Sequence, residues 1–128
     1  MRVNKTPPQQ SAGYIGSIDT STNASTDWTD VVSTDVQDSK TGAAMPAGLQ
    51  FISIGVRNTS TTGSAYLKLR ARGGAADPVA AEIEIPSTAA IALPIAATSG
   101  DVITTIAYKK AAAGDELIFL FGLSDPTV

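Results

Sequence analysis

The chain has 128 residues, a net charge of -3, and neither cysteine nor histidine. This length predicts one domain with its own core. The missing residue types exclude disulfides, thiol nucleophiles, imidazole acid–base chemistry and the usual ligands of zinc, iron and copper. The acidic balance disfavours nucleic acid as a partner, because nucleic-acid binding needs a basic surface.

Charged residues make up only 16% of the chain, against about 25% in ordinary soluble domains. Small, weakly polar residues take their place, as in proteins packed within assemblies, although a stable all-β monomer has the same composition. No apolar run is long enough for a signal peptide or a membrane span. We therefore expect synthesis in a cytoplasm and no membrane partner.

Residues 1–26 show no usable periodicity and are predicted to form an extended N-terminal arm. Pro7-Pro8 favours a polyproline segment, and the residues around it are polar. Two interpretations stay open. The arm is a disordered tail, or it becomes ordered when Tyr14 and Ile15 dock on a neighbouring subunit.

The β-sandwich domain is expected over residues 27–128, and its first predicted strand is Trp28–Val36. The aspartates at positions 27, 30, 35 and 38 raise the possibility of calcium. Their spacing fits no EF-hand loop, and no Glu closes one. Solvated turn and edge residues are the favoured interpretation.

A regular series of short strands follows, each alternating between apolar and polar residues. The predicted strands cover residues 49–57, 65–71, 79–85, 89–95, 102–108 and 116–123. Their spacing predicts a β-sandwich or barrel, and Pro94 indicates that its strand is short or lies at an edge. The series predicts a core that includes Ile54, Leu69, Ile83, Ile106 and Phe119.

The strands at 65–71 and 79–85 are expected to pair as a hairpin. This pairing would place Arg70 opposite Glu82 and Lys68 opposite Glu84 on a solvated face, where such pairs help to fix the register. Glu82 and Glu84 also have the spacing of a carboxylate pair. A glycosidase site is disfavoured because basic residues face them and no aromatic cleft is apparent.

The last predicted strand, Glu116–Leu123, is apolar on both of its faces. Alternation places Leu117, Phe119, Phe121 and Leu123 on one side and Ile118 and Leu120 on the other. A sandwich buries only one face of each sheet. The surplus face therefore predicts a subunit interface, unless the arm folds over it. The candidate interface residues are Tyr14, Ile15, Ile118, Phe119, Leu120 and Phe121.

In layout, the chain resembles the small decoration, or cement, proteins of tailed bacteriophage capsids. The resemblance rests on the polar arm, on Leu49-Gln-Phe-Ile-Ser-Ile-Gly-Val56 and on Leu117-Ile-Phe-Leu-Phe121. It implies an all-β, jelly-roll-like sandwich on the outside of a virion, made in the host cytoplasm. It further implies a homotrimer that bridges and stabilises subunits of the major capsid protein.

No catalytic, cofactor-binding or metal-binding residue is predicted, and we expect the protein not to be an enzyme. The competing function is a binding module, either a tail-fibre or adhesin domain or a carbohydrate-binding sandwich. Sugar binding usually uses exposed aromatic rings, and aromatic residues are only 5% of the chain.

Overall fold

The computed structural model describes residues 13–71, 82–95 and 103–125. The strands are β1 (Tyr14–Ser17), β2 (Thr29–Val31), β3 (Gln37–Asp38), β4 (Gln50–Asn58), β5 (Ala65–Ala71), β6 (Ile83–Ile85), β7 (Ala90–Pro94), β8 (Ile103–Lys109) and β9 (Leu117–Ser124). One turn of 3-10 helix, Ser33–Asp35, follows β2. Within the described ranges there is no helix long and apolar enough to cross a membrane.

The strands form two antiparallel sheets that pack face to face. Sheet A has the order β3-β1-β9-β4-β7, and sheet B has the order β2-β8-β5-β6. Without the two-residue β3, the eight remaining strands are ordered 1-8-3-6 and 2-7-4-5, which is the strand order of a jelly roll. The predicted all-β sandwich is confirmed, and β7 with Pro94 lies at an edge of sheet A as expected.

The core lies between the inner faces of the two sheets. Phe51, Ile54, Phe121 and Leu123 of sheet A and Leu67, Ile85 and Ile106 of sheet B are each at most 1% exposed. The predicted core residues Ile54, Ile106 and Phe119 are buried, while Leu69 and Ile83 are partly buried against the core.

A bulge in β4 changes which of its residues point inward. The register with β9 shifts between Phe51 and Ser53, and an extra residue at this point reverses the alternation. Phe51 is therefore 1% exposed, whereas Ile52, two residues before the buried Ile54, is only partly buried.

The hairpin of β5 and β6 has a different register from the expected one. Tyr66, not Lys68, lies opposite Glu84, and Leu67 lies opposite Ile83. The predicted Lys68–Glu84 and Arg70–Glu82 pairings are therefore wrong by two residues. A two-residue shift keeps every side chain on the same face, so the apolar pattern does not distinguish the two registers. Residues 79–81 of the predicted strand lie outside the described residues.

Part of the predicted N-terminal arm belongs to the sandwich. β1 lies inside sheet A, paired with β9 on one side and β3 on the other. The expected boundary at residue 26 therefore does not coincide with the start of the sheets. Four residues that include Gly16 carry too little alternation to be recognised as a strand. The arm remains a prediction for residues 1–12, which lie outside the described residues.

Candidate docking surface

The side chains of β9 point alternately into the core and out to the surface, as the sequence pattern predicted. Leu117, Phe119, Phe121 and Leu123 are at most 3% exposed, whereas Ile118 is 48% and Leu120 56% exposed. Since β9 lies between β1 and β4, these two exposed residues stand near the middle of the outer face of sheet A. The surplus apolar face is therefore the one that carries Ile118 and Leu120.

Phe119 and Phe121 belong to the core and are not available for docking. Their rings stack on each other with centroids 5.0 Å apart, and Phe51 contacts Phe121 edge to face at 5.2 Å. Tyr108 of sheet B packs on Phe119 at 5.6 Å. These four rings join the two sheets, so two of the six candidate interface residues have a structural position instead.

Of the candidate residues in β1, Ile15 lies on the outer face and Tyr14 packs against the core. Ile15 is opposite Gly122 in the register and is 60% exposed, while Tyr14 is partly buried. β1 therefore lies beside β9 in the plane of the sheet and does not cover the outer face. Three exposed aliphatic side chains, Ile15, Ile118 and Leu120, form what we call the ridge.

A depression adjoins the ridge, and we call it the trough. It has a volume of about 410 Å³, and small side chains make it possible. Its lining includes Ser53, Gly55, Ala92 and Gly122, with Pro94 at the edge strand. Because glycine has no side chain, the two glycines leave the backbone open on the outer face.

Gly122 and Gly55 differ in how much space surrounds them. A Cβ atom on Gly122 would lie 2.5 Å from the Ser53 hydroxyl oxygen, which is too close without a movement of that side chain. A Cβ atom on Gly55 would meet only the Leu120 carbonyl oxygen at 3.7 Å and the Leu120 Cβ at 3.8 Å. These are ordinary van der Waals distances, so a Cβ atom can be added at Gly55 without a clash.

The outer face of sheet B has a different chemistry. Lys68 Nζ lies 4.6 Å and Lys109 Nζ 5.6 Å from the centroid of the Trp28 ring, within the range of cation–π contacts. Tyr66 lies opposite Lys109 on the neighbouring strand. This face is charged and aromatic, whereas the outer face of sheet A is mainly aliphatic.

The aspartates of the N-terminal half act on the backbone of their own turns. Asp35 Oδ2 accepts a hydrogen bond from the Val32 N–H at 3.0 Å, and Asp38 Oδ1 accepts one from the N–H two residues later at 2.7 Å. Hydrogen bonds from the Ser21 side chain and N–H lower the pKa of Asp19. Across the described ranges, no three carboxylates come together in a way that could hold a metal ion.

Lys110 has a position that the sequence did not reveal. Lys110 is the second lysine of a pair at the end of β8, a position typical of solvated residues, but it is only 2% exposed. Its ammonium donates to the carbonyl oxygens of Thr20 at 3.2 Å, Ala113 at 3.2 Å, Asp115 at 3.0 Å, and also Asn23. Lys110 thus ties the β1–β2 connection to the turn before β9.

Thr20 makes a second connection between the same two parts of the chain. Its hydroxyl donates to the Leu117 carbonyl oxygen at 3.0 Å and accepts from the Leu117 N–H at 2.9 Å. Together with Lys110, this contact holds β1 in position at the side of β9.

Fold and surface together define a jelly-roll sandwich with one mainly aliphatic outer face. No family model and no curated protein matches the chain. Among solved structures, it is similar to the coat protein of tobacco streak virus, with 10% identity and a TM-score of 0.45 over 98% of this chain and 93% of that one. At these values, neither the role nor the partners of that coat protein transfer to this chain.

Proposed function

We propose that the protein is a structural virion protein that decorates the outside of a tailed-phage capsid and has no catalytic role. In this proposal it forms homotrimers that bridge subunits of the major capsid protein. The observation that carries the proposal is the outer face of sheet A, where three large aliphatic side chains are about half exposed or more. Exposed apolar patches on an otherwise polar protein mark interaction surfaces.

The jelly-roll strand order is compatible with this role, because capsid proteins are among the users of that fold. Lectins use it too, so the fold alone does not decide the function. A small decoration protein stabilises a shell by binding only its assembled state. Several modest contacts within a trimer multiply that effect.

The alternative, a carbohydrate-binding module, has less support from the described residues. Sugar binding would require a free aromatic face, and the ring of the single tryptophan is approached by Lys68 and Lys109. A bound sugar would have to displace at least one of these ammonium groups.

The test is made on virus particles. We expect the protein in purified virions, and we expect particles from a deletion strain to assemble but to release DNA at a lower temperature than wild-type particles. Adding the purified protein back should restore the wild-type release temperature. Absence of the protein from virions would overturn the proposal, and so would retention of the purified monomer on glycans.

A further inference from the structure

We infer that the trough of one copy receives the ridge of a second copy of this chain. This inference deepens the proposed homo-oligomer and partly rests on it, because it identifies the partner of the outer face of sheet A. The argument depends on the register of the strands, on the size of the side chains and on the charges of this face.

The strand registers allow the outer face to be mapped in rows across β1, β9, β4 and β7. The first row is Ile15, Gly122, Ser53 and Pro94, the second is Leu120, Gly55 and Ala92, and the third is Ile118, Arg57 and Ala90. All large aliphatic side chains in these rows are on β1 and β9. The small residues are concentrated on β4 and β7, apart from Gly122.

The ridge borders the trough: Ile15 and Leu120 line it on the β1 and β9 side, and the small residues of β4 and β7 leave it open on the other side. A second copy that presents its β9 side to the β4 side of the first places Leu120 above Gly55, where the side chains leave most space. Such a contact buries an aliphatic side chain against an apolar surface, which is favourable at roughly 25 cal/mol per Å² of apolar area. The β9 side of one copy meets the β4 side of the next, so the two copies use different surfaces. Such a contact can repeat around the three-fold axis of the proposed trimer.

The charges of the face favour a second copy as the occupant. In the three mapped rows Arg57 is the only charged residue, so two copies meet with little like-charge repulsion. Glu116 precedes Ile118 by two residues and so has the same outward alternation. It is partly exposed, and it offers an opposite charge for the Arg57 of a neighbouring copy.

A small polar ligand is a poorer occupant for the same trough. Sites for small molecules combine apolar walls with several convergent polar groups. The side chains that line this trough include one hydroxyl, that of Ser53, and no charged group. The arrangement fits an aliphatic surface better than a molecule that needs directional hydrogen bonds.

The first experiment measures self-association of the purified full-length protein by sedimentation velocity over a range of concentrations. Leu120→Ser shortens the ridge, and Gly55→Val fills the trough at a position where a Cβ meets only ordinary contacts. Each change should raise the dissociation constant about tenfold or more, as for a central interface residue. Val32→Ser is the matched control, because Val32 is an exposed aliphatic residue, 38% accessible, outside this face.

The second experiment asks whether ridge and trough meet each other, and it uses the absence of cysteine from the chain. Two single variants, Gly55→Cys and Leu120→Cys, are mixed and oxidised, so any disulfide between them joins two copies. We expect the mixed disulfide to form at least about tenfold faster than one between Gly55→Cys and Val32→Cys. Faster pairing of Leu120→Cys with itself would show ridge against ridge and overturn the inference.

A wild-type protein that remains monomeric at its highest soluble concentration would also overturn the inference. Equal association of Leu120→Ser, Gly55→Val and wild type would do the same. These results are separate from the test of decoration, which is made on virions. A protein found in virions but monomeric in solution keeps the proposed decoration of the capsid and loses both this contact and the homotrimer. A dimer that shows the mixed disulfide keeps the contact and loses the trimer.

Discussion

A single buried ammonium, that of Lys110, holds together parts of the chain that are about ninety residues apart in sequence. Burying a cation costs free energy unless its hydrogen bonds are restored. Here four backbone carbonyl oxygens surround its three N–H donors, so every donor has an acceptor. Hydrogen bonds to charged groups contribute about 1.5–3 kcal/mol each, so this side chain is a major determinant of the local structure.

Replacing Lys110 with Met should therefore destabilise the protein by roughly 3 kcal/mol or more, because buried carbonyl groups lose their donor. The change keeps the aliphatic stem and removes the charge. Urea denaturation measures the loss, and Lys109→Met is the control, since Lys109 is partly exposed and should cost less than about 1 kcal/mol. Equal stability of the two variants would show that the carbonyls do not depend on Lys110.

Phe119 and Leu120 are neighbours in sequence with opposite environments. Phe119 is 3% exposed and packs between rings of both sheets, whereas Leu120 is 56% exposed. Phe119→Ala should cost about 3–5 kcal/mol because it leaves a cavity in the core.

Leu120→Ala should lower the free energy of unfolding of the monomer by less than about 1 kcal/mol. Chemical denaturation at a concentration where the wild type is monomeric compares the two variants. A small effect of Phe119→Ala would place that ring at a mobile or solvated surface instead.

At the scale of elements, long alternating strands were predictable from sequence and short ones were not. β4, β5, β8 and β9 have seven to nine residues, and each was expected within one or two residues of its position. β1 and β3 have four and two residues. They are strands because sheet A offers them partners, and that information is absent from the local pattern.

Only part of the outer face of sheet A was predictable from the sequence. The exposed pair Ile118 and Leu120 followed from alternation, but the trough did not. Gly122 and Gly55 come together only through the register of β9 and β4. Likewise, nothing near Lys110 in the sequence indicates carbonyl groups supplied by Thr20 and Asn23.

The position of β1 leads to a prediction about truncation. Removing residues 1–12 should leave the sandwich intact, because among the described residues the first strand of sheet A begins at Tyr14. Removing residues 1–18 should destabilise it strongly, since β9 would lose the hydrogen bonds that β1 supplies. Thermal unfolding of both truncated proteins provides the comparison, and equal stability would mean that β1 adds nothing to the sheet.

At the scale of the whole molecule, the two outer faces differ in the kind of force that each can use. The outer face of sheet A offers mainly aliphatic contact, and that of sheet B offers lysines and aromatic rings. Salt screens exposed charges but does not weaken apolar burial. The two faces can therefore be distinguished by their response to ionic strength.

Self-association through sheet A should change little when sodium chloride is raised from about 50 mM to about 500 mM, since screening acts only on the solvent-accessible Arg57–Glu116 pair and leaves the apolar burial intact. Sedimentation equilibrium at both salt concentrations measures this. A clear loss of association at high salt would assign the contact to charged groups instead, with the lysines of sheet B as the first candidates. The variant Lys68→Ser would then weaken association, whereas a contact through sheet A predicts no effect of this variant.

The central position of β9 in sheet A also has a consequence for protein synthesis. Ile15 is made early and Leu120 late, yet they belong to the same ridge, and β9 fills the space between β1 and β4. All residues up to Ser124 must therefore have left the ribosome before β9 can pair with β1 and β4 and complete sheet A. Until then the nascent chain has no complete ridge, so immature copies are unable to associate through it. The order of translation would thereby restrict the proposed self-association to chains in which sheet A is complete.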